Sequence, residues 1–252
     1  MSARTHFAYM QARCQARYSL QLRGEWQRLS AIRDVDAFRA AVLRRPVHAF
    51  LAGLSADGDL HATEACLRNT FRRIVDELAA WMPRAWRPAV RSVSVFADLA
   101  AIQFLTRGGE AYAWLRDEKS MQAYLPEPAP QYGSSHAHAD FSRFLQRASG
   151  QESLPEVWAR YWHASWPRVD AATGRQLLRI EKLVRRGRRR LADAGTDGSQ
   201  VEINALQQEF IRVFRRQGQT PAAAFAYLGL SWLELARIRA GLLERRLEAP
   251  GT

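Results

Sequence analysis

Apolar residues recur along most of the chain at the three- and four-residue steps of an α-helix, and almost nowhere at the two-residue step of a strand. Leu67, Phe71, Ile74, Leu78 and Trp81 mark one such face, and Pro83 ends it. Ile203, Leu206, Phe210 and Val213 mark another. Alternation appears briefly at Ser92-Val93-Ser94-Val95-Phe96, but Val90 and Leu99 on either side also suit a helix. Punctuation agrees with the spacing. Asp34 reads as the N-cap of a short helix through Leu43, stopped at Pro46. Asp57-Gly58-Asp59 reads as a turn, with Asp59 placed to cap the next helix. Pro88 suits the first turn of a helix to Arg107, which Gly108-Gly109 ends. Ser153-x-x-Glu156 is a capping box opening a helix with Val157, Trp158, Tyr161 and Trp162. Asp170 is placed to cap a long helix to about Ala194, and Gly195 to Ser199 reads as a loop. Thr220-Pro221 starts the next helix, and Ser231-x-x-Glu234 reads as a second capping box.

These elements predict an all-α protein, a two-lobed helical bundle of about nine or ten helices. The stretch 125–139, LPEPAPQYGSSHAHA, has three prolines followed by Gly and Ser and reads as a linker. It divides an N-terminal lobe, 1–124, from a C-terminal lobe, 140–252. No short-period repeat is visible.

Composition narrows the class. With 47% hydrophobic and 25% charged residues over 252 positions, the chain is globular and needs no disulfide or metal to hold a core. Cys14 and Cys66 are too few for a disulfide framework. The longest uncharged apolar stretch, Pro221 to Leu233, is shorter than the ~20 residues of a membrane span. The first 25 residues have no apolar run of signal-peptide length. The expected location is cytoplasmic, with contact at the inner membrane face left open.

The net charge of +12 divides evenly, +6 in residues 1–126 and +6 in 127–252. Within the second half, residues 175–190 alone carry +7. At ~100° per residue, Arg175, Arg179, Lys182, Arg186 and Arg190 fall within roughly 80° of arc, opposite Leu177, Ile180, Val184 and Leu191. The helix therefore packs by one face and presents a basic ridge on the other. The ordinary reading is a solvated arginine-rich face. The sharper one is a docking ridge for an acidic partner, with nucleic acid or anionic lipid as candidates. Trp158, Trp162 and Trp166 form a stripe at four-residue spacing, which reads first as core and second as an interface, because Trp and Arg dominate hot spots.

Signals for chemistry are sparse. His136-x-His138-x-Asp140 is the only cluster with metal-ligand residue types, and it falls in the expected linker without a fourth ligand. Adjacent Asp76-Glu77 and Asp117-Glu118 point about 100° apart on a helix and cannot act as an acid/base pair. No P-loop, G-x-G-x-x-G, G-x-S-x-G or H-E-x-x-H occurs. The expectation is a non-enzymatic protein without cofactor or metal. The pair of helices expected over Thr220–Arg246 has a faint helix-turn-helix look, but Trp232 and Leu233 suit a core better than a groove.

A further resemblance rests on Tyr9-x-x-Ala12-Arg13, Trp26-x-x-Leu29, Asp34 heading a short helix before Pro46, Leu67-Arg68 with Phe71, and Asp98-Leu99 leading to Leu105-x-Arg107-Gly108. Glu234, Leu235, Arg237, Ile238 and Arg239 close the pattern. Together they resemble the AC39 family of V-type ATPases, the helical proteins that sit between rotor ring and central stalk. The resemblance implies an all-helical, non-catalytic, peripheral protein that couples a membrane rotor ring to a stalk. Two departures are plain: Ala101 and Thr173 stand where the family pattern has Asn three residues after Asp, and the chain is shorter than family members. The alternative function is a basic helical nucleic-acid-binding or regulatory protein.

Overall fold

The computed structural model describes residues 2–19, 26–44, 60–125, 136–148, 152–193 and 195–248. Pro46, the Asp57–Asp59 turn and the proline-rich part of the expected linker lie outside the described residues. The described residues form helices and the turns that join them, and contain no strand. They form twelve α-helical segments, more than the nine or ten expected, because several are single turns that periodicity does not register. In chain order these are α1 (Ala3–Ser19), α2 (Trp26–Ser30), α3 (Val35–Leu43), α4 (Leu60–Trp81), α5 (Arg87–Arg91) and α6 (Leu99–Thr106). There follow α7 (Ala113–Asp117), α8 (His136–Gln146), α9 (Leu154–Ala164), α10 (Ala171–Asp193), α11 (Gly195–Arg216) and α12 (Pro221–Glu248).

The contacts gather the residues into two compact units, one of 1–74 with 170–252, the other of 75–169. This differs from a division at 125–139. The second unit takes residues from both sides of that stretch, and the first takes residues from both ends of the chain. His136, Ala137 and His138 are helical, at the start of α8, where the sequence suggests a linker. A Pro/Gly/Ser-rich run marks where a chain can turn, but not which elements pack together afterwards.

In the first unit α12 is the hub, with α1, α3, α10 and α11 packed on it. Its first half is buried on all sides, from Ala222 through Leu228, as expected of a helix with no polar face. Small residues let neighbours approach closely. A Cβ at Gly229 would stand 2.5 Å from the Phe210 ring of α11, and one at Gly241 would stand 2.6 Å from Phe38 of α3. The expected break at Ser231 is absent. Ser231 Oγ donates to the Tyr227 carbonyl at 3.0 Å, so the hydroxyl bonds back one turn instead of capping a new helix. One continuous 28-residue helix thus replaces the pair that suggests a helix-turn-helix. Gly195 to Ser199, expected as a loop, opens α11.

In the second unit the centre is a 3₁₀ segment, Ser92–Asp98, between α5 and α6, with α8 and α9 packed on it. It lies within the single helix expected from Pro88 to Arg107. Ser92 and Ser94 hydroxyls donate to the carbonyls three residues back, at 2.9 and 2.7 Å, which suits the tighter winding. Gly108, at φ 82°, and Gly109 close α6 with bonds to the Leu105 and Phe104 carbonyls, both 3.0 Å, in a Schellman arrangement. By length and composition Arg84–Thr106 is apolar enough to cross a membrane, at mean hydropathy 1.3, a stretch that the uncharged-run criterion passes over. Of its window, 61% is buried.

Other expected signals hold at the atomic level. Asp34 Oδ1 accepts from the Ala37 amide at 2.7 Å. Glu156 accepts from the Ser153 amide at 3.0 Å and hydroxyl at 2.7 Å. Leu67, Phe71, Ile74, Leu78 and Trp81 are all buried.

Candidate functional site

Both α10 and α11 are amphipathic, and they lie antiparallel within the first unit. Leu177 and Ile180 of α10 and Ile203, Leu206 and Phe210 of α11 are buried, which turns the charged faces outward. Gly187 permits close approach, since a Cβ there would meet the Leu206 side chain at 2.9 Å. Asp170 heads α10, its Oδ1 accepting from the Thr173 amide at 2.7 Å. Hydrogen bonds from the Thr173 amide and hydroxyl hold this carboxyl below the usual carboxylate range, with a smaller contribution from Arg175.

The five ridge residues fall into two groups. Arg186 pairs with Glu209 of α11, and Arg190 Nη1 lies 3.1 Å from Glu202 Oε2. Arg185, just beside the ridge, pairs with Glu181 at 2.7 Å. The C-terminal half of the ridge is thus neutralised within the protein. Arg175, Arg179 and Lys182 are exposed and have no ion-pair partner among the described residues. Arg188, on the same helix, is turned partly inward, and desolvation lowers its pKa.

The unneutralised end is a groove, not a convex ridge. Arg175, Gln176 and Arg179 of α10 face Arg212, Arg216 and Gln217, the last just past the end of α11, across about 310 Å³. No acidic residue lines it. Arg212 and Arg216 are both exposed, and a reading of α10 alone passes over them. Their spacing of four, matching that of Arg175 and Arg179, is the signal that could find them. Like charges at this spacing cost an exposed helix roughly 0.2–0.5 kcal/mol per pair. Four guanidinium groups on two facing edges therefore represent a small, standing electrostatic strain that a bound anion would relieve.

In the tryptophan stripe the core reading holds for Trp158 and Trp162, and their reading as partner-binding residues is corrected. Trp158 and Trp162 lie in the core of the second unit, 5% and 2% exposed, their rings stacked at 5.9 Å. Trp158 Nε1 donates to the Ser92 carbonyl at 3.2 Å, and its ring packs on Phe96. Burial within the second unit leaves neither ring a face for a partner. Trp166 sits edge-on to Trp162 at 4.9 Å and is half-buried.

His138 is also not where a linker would leave it. It is fully buried, and its Nε2 lies 2.8 Å from Asp98 Oδ2, which is equally buried. Tyr161 donates to the Ala137 carbonyl at 3.0 Å and Tyr124 to the His138 carbonyl at 3.2 Å. Burial pushes the Tyr161 phenol pKa up, so it remains a donor. The His138–Asp98 pair ties α8 to the 3₁₀ segment. No group of three or more His, Cys, Asp or Glu side chains suited to a metal occurs among the described residues.

Several residues that carry the V-type ATPase resemblance are packing residues here. Trp26 Nε1 lies 3.4 Å from Glu234 Oε2, and the Arg237 guanidinium lies 5.5 Å above the Trp26 ring and donates to Asn204. Desolvation lowers the Arg237 pKa. Arg239 forms a two-bond fork on Glu64, at 2.7 and 2.9 Å. No protein-family model matches the chain, and no curated protein or solved structure matches it.

Proposed function

We propose that the protein is a non-catalytic adaptor that docks on a membrane-associated complex, in the manner of the V-type ATPase AC39 family it resembles in sequence. The observation that carries the docking half of this reading is the uneven neutralisation of α10. Arg186 and Arg190 are met by acids of the same chain, while Arg175, Arg179 and Lys182 are left for an outside counter-charge. Charge complementarity of this kind sets orientation and association rate more than raw affinity. The membrane-complex half rests on the sequence resemblance.

The test is co-purification. Tagged protein from its native cells is expected to sediment with membranes and to co-purify with a rotor or other membrane assembly. R175E/R179E/K182E is expected to release it. A monodisperse protein without a membrane-complex partner in pull-downs overturns the reading. Steeply salt-dependent nucleic-acid binding lost in the same variant favours the alternative, a basic nucleic-acid-binding protein.

A further inference from the structure

We infer that the groove between the N-terminal half of α10 and the C-terminal end of α11 is a binding site for a phosphoryl group. The site deepens the docking reading, on which it rests, by naming the chemistry that the free end of the ridge accepts. Four arginines converge there from two helices, Arg175 and Arg179 across from Arg212 and Arg216, with Gln176 and Gln217 amides beside them.

Three features select a phosphoryl group among anions. First, guanidinium forks match the oxygen geometry of phosphate and donate in pairs, so opposed arginines can grip one group from two sides. Second, the competing acids are already taken. Glu181 pairs with Arg185, Glu202 with Arg190 and Glu209 with Arg186, while the Asp170 carboxylate accepts from the Thr173 amide, feels Arg175 only as the smallest influence on its own ionisation, and does not line the groove. Third, the space is bounded. About 310 Å³ is at the small end of ligand sites, suited to one or two phosphoryl groups rather than a folded surface. Buried Val213 lines the same groove, and apolar wall beside the guanidinium groups strengthens their pull on a charge. The phosphoryl group can come from a free phosphorylated molecule or from a phosphorylated lipid headgroup, since both present the same oxygens.

The full chain is titrated calorimetrically with inorganic diphosphate at low ionic strength, and separately floated with phosphatidylcholine vesicles with and without phosphatidic acid. Diphosphate is expected to bind, and R179Q/R212Q to weaken it by about tenfold or more. R186Q/R190Q, which removes only arginines held by Glu209 and Glu202, is expected to change it by no more than about twofold. Thermal melts of each variant check that the fold is kept. Flotation with phosphatidic acid, competed by diphosphate and lost in R179Q/R212Q, identifies a lipid headgroup as a source. Diphosphate binding without flotation identifies a free phosphorylated ligand. No binding at millimolar diphosphate overturns the site, as does equal loss in the two double variants or flotation that survives R179Q/R212Q. The docking reading fails separately. R212Q/R216Q should weaken diphosphate binding by about tenfold or more and weaken co-purification with it, whereas K182E should weaken co-purification and leave diphosphate binding intact; diphosphate binding by a protein that co-purifies with no membrane assembly overturns docking alone.

Discussion

Arg245, near the end of α12, donates to four carbonyl oxygens. Its Nε reaches Ile32 at 2.6 Å, Nη1 reaches Gly241 at 2.7 Å, and Nη2 reaches Leu29 and Ser30 at 3.1 and 3.2 Å. Its guanidinium carbon lies 4.0 Å from the Phe38 ring centre. Arg212, on α11, is exposed and has no such partner among the described residues. The residue type is the same and the chain segments are only about 30 positions apart, yet one arginine builds the fold and the other is left to outside ligands. Burial explains the difference. A guanidinium 6% exposed must exchange its water contacts for protein acceptors, and carbonyls at and just past the end of α2, with that of Gly241, supply them. An arginine that stays in water is under no such demand, so its position can be set by a ligand. Net charge alone cannot separate these uses.

Four substitutions test whether buried side chains hold the fold while exposed arginines do not. The largest loss is expected from Trp162→Ala, about 3–5 kcal/mol of unfolding free energy, because a fully packed indole is removed from the second unit. Chemical denaturation followed by circular dichroism measures it, and a loss below about 1 kcal/mol would return this tryptophan to the surface. Next comes Arg245→Met, expected to cost about 2–4 kcal/mol by removing the shared donor of the Leu29, Ser30 and Ile32 carbonyls, of which Leu29 keeps only the Ile32 amide. The same denaturation series reads it. Third, Asp34→Ala should cost about 1 kcal/mol through loss of the cap on α3. Smallest, and of opposite sign, is Arg212→Gln. It is expected to leave stability unchanged or raise it by up to about 0.5 kcal/mol, since it relieves repulsion with Arg216 one turn on. A clear loss there would place Arg212 with Arg245 among the structural arginines.

Acid provides a further check at the head of α10. The Asp170 carboxyl is held below its ordinary range, so its stabilising contribution is fully present above the unfolded carboxylate pKa. It is lost as pH falls through the lower folded value. The Thr173 amide resonance in a proton NMR titration should follow that step, and in Asp170→Asn the step should vanish.

Much of the fold is legible in the sequence because helical periodicity and caps are local. The α4 face, the Asp34 cap and the Ser153–Glu156 box need only neighbouring residues to be read. The grouping of elements is not legible, because it depends on which apolar faces meet across long separations. Nothing near Trp26 announces Glu234, 208 positions later. Ser231 fails as a signal because Ser one turn after a tyrosine carbonyl can bond backward as easily as it can cap, and the apolar residues around it favour an unbroken helix. The basic ridge is legible on α10 taken alone. Its division into a satisfied half and an open half comes from α11, whose Glu202 and Glu209 face one end while Arg212 and Arg216 face the other.

The placement of α12 bears on the order in which the protein can form during synthesis. Residues 75–169 leave the ribosome as one uninterrupted stretch and can condense at once. Helices α1 and α3 are made before the other described elements that pack on α12, but have their hub in the last element of the described chain. They must wait through most of translation with apolar surface such as Met10, Phe38 and Val42 uncovered. Truncation late in α12 should therefore harm α1 and α3 most, although they are made well before it, and a holding chaperone should bind these helices while they wait.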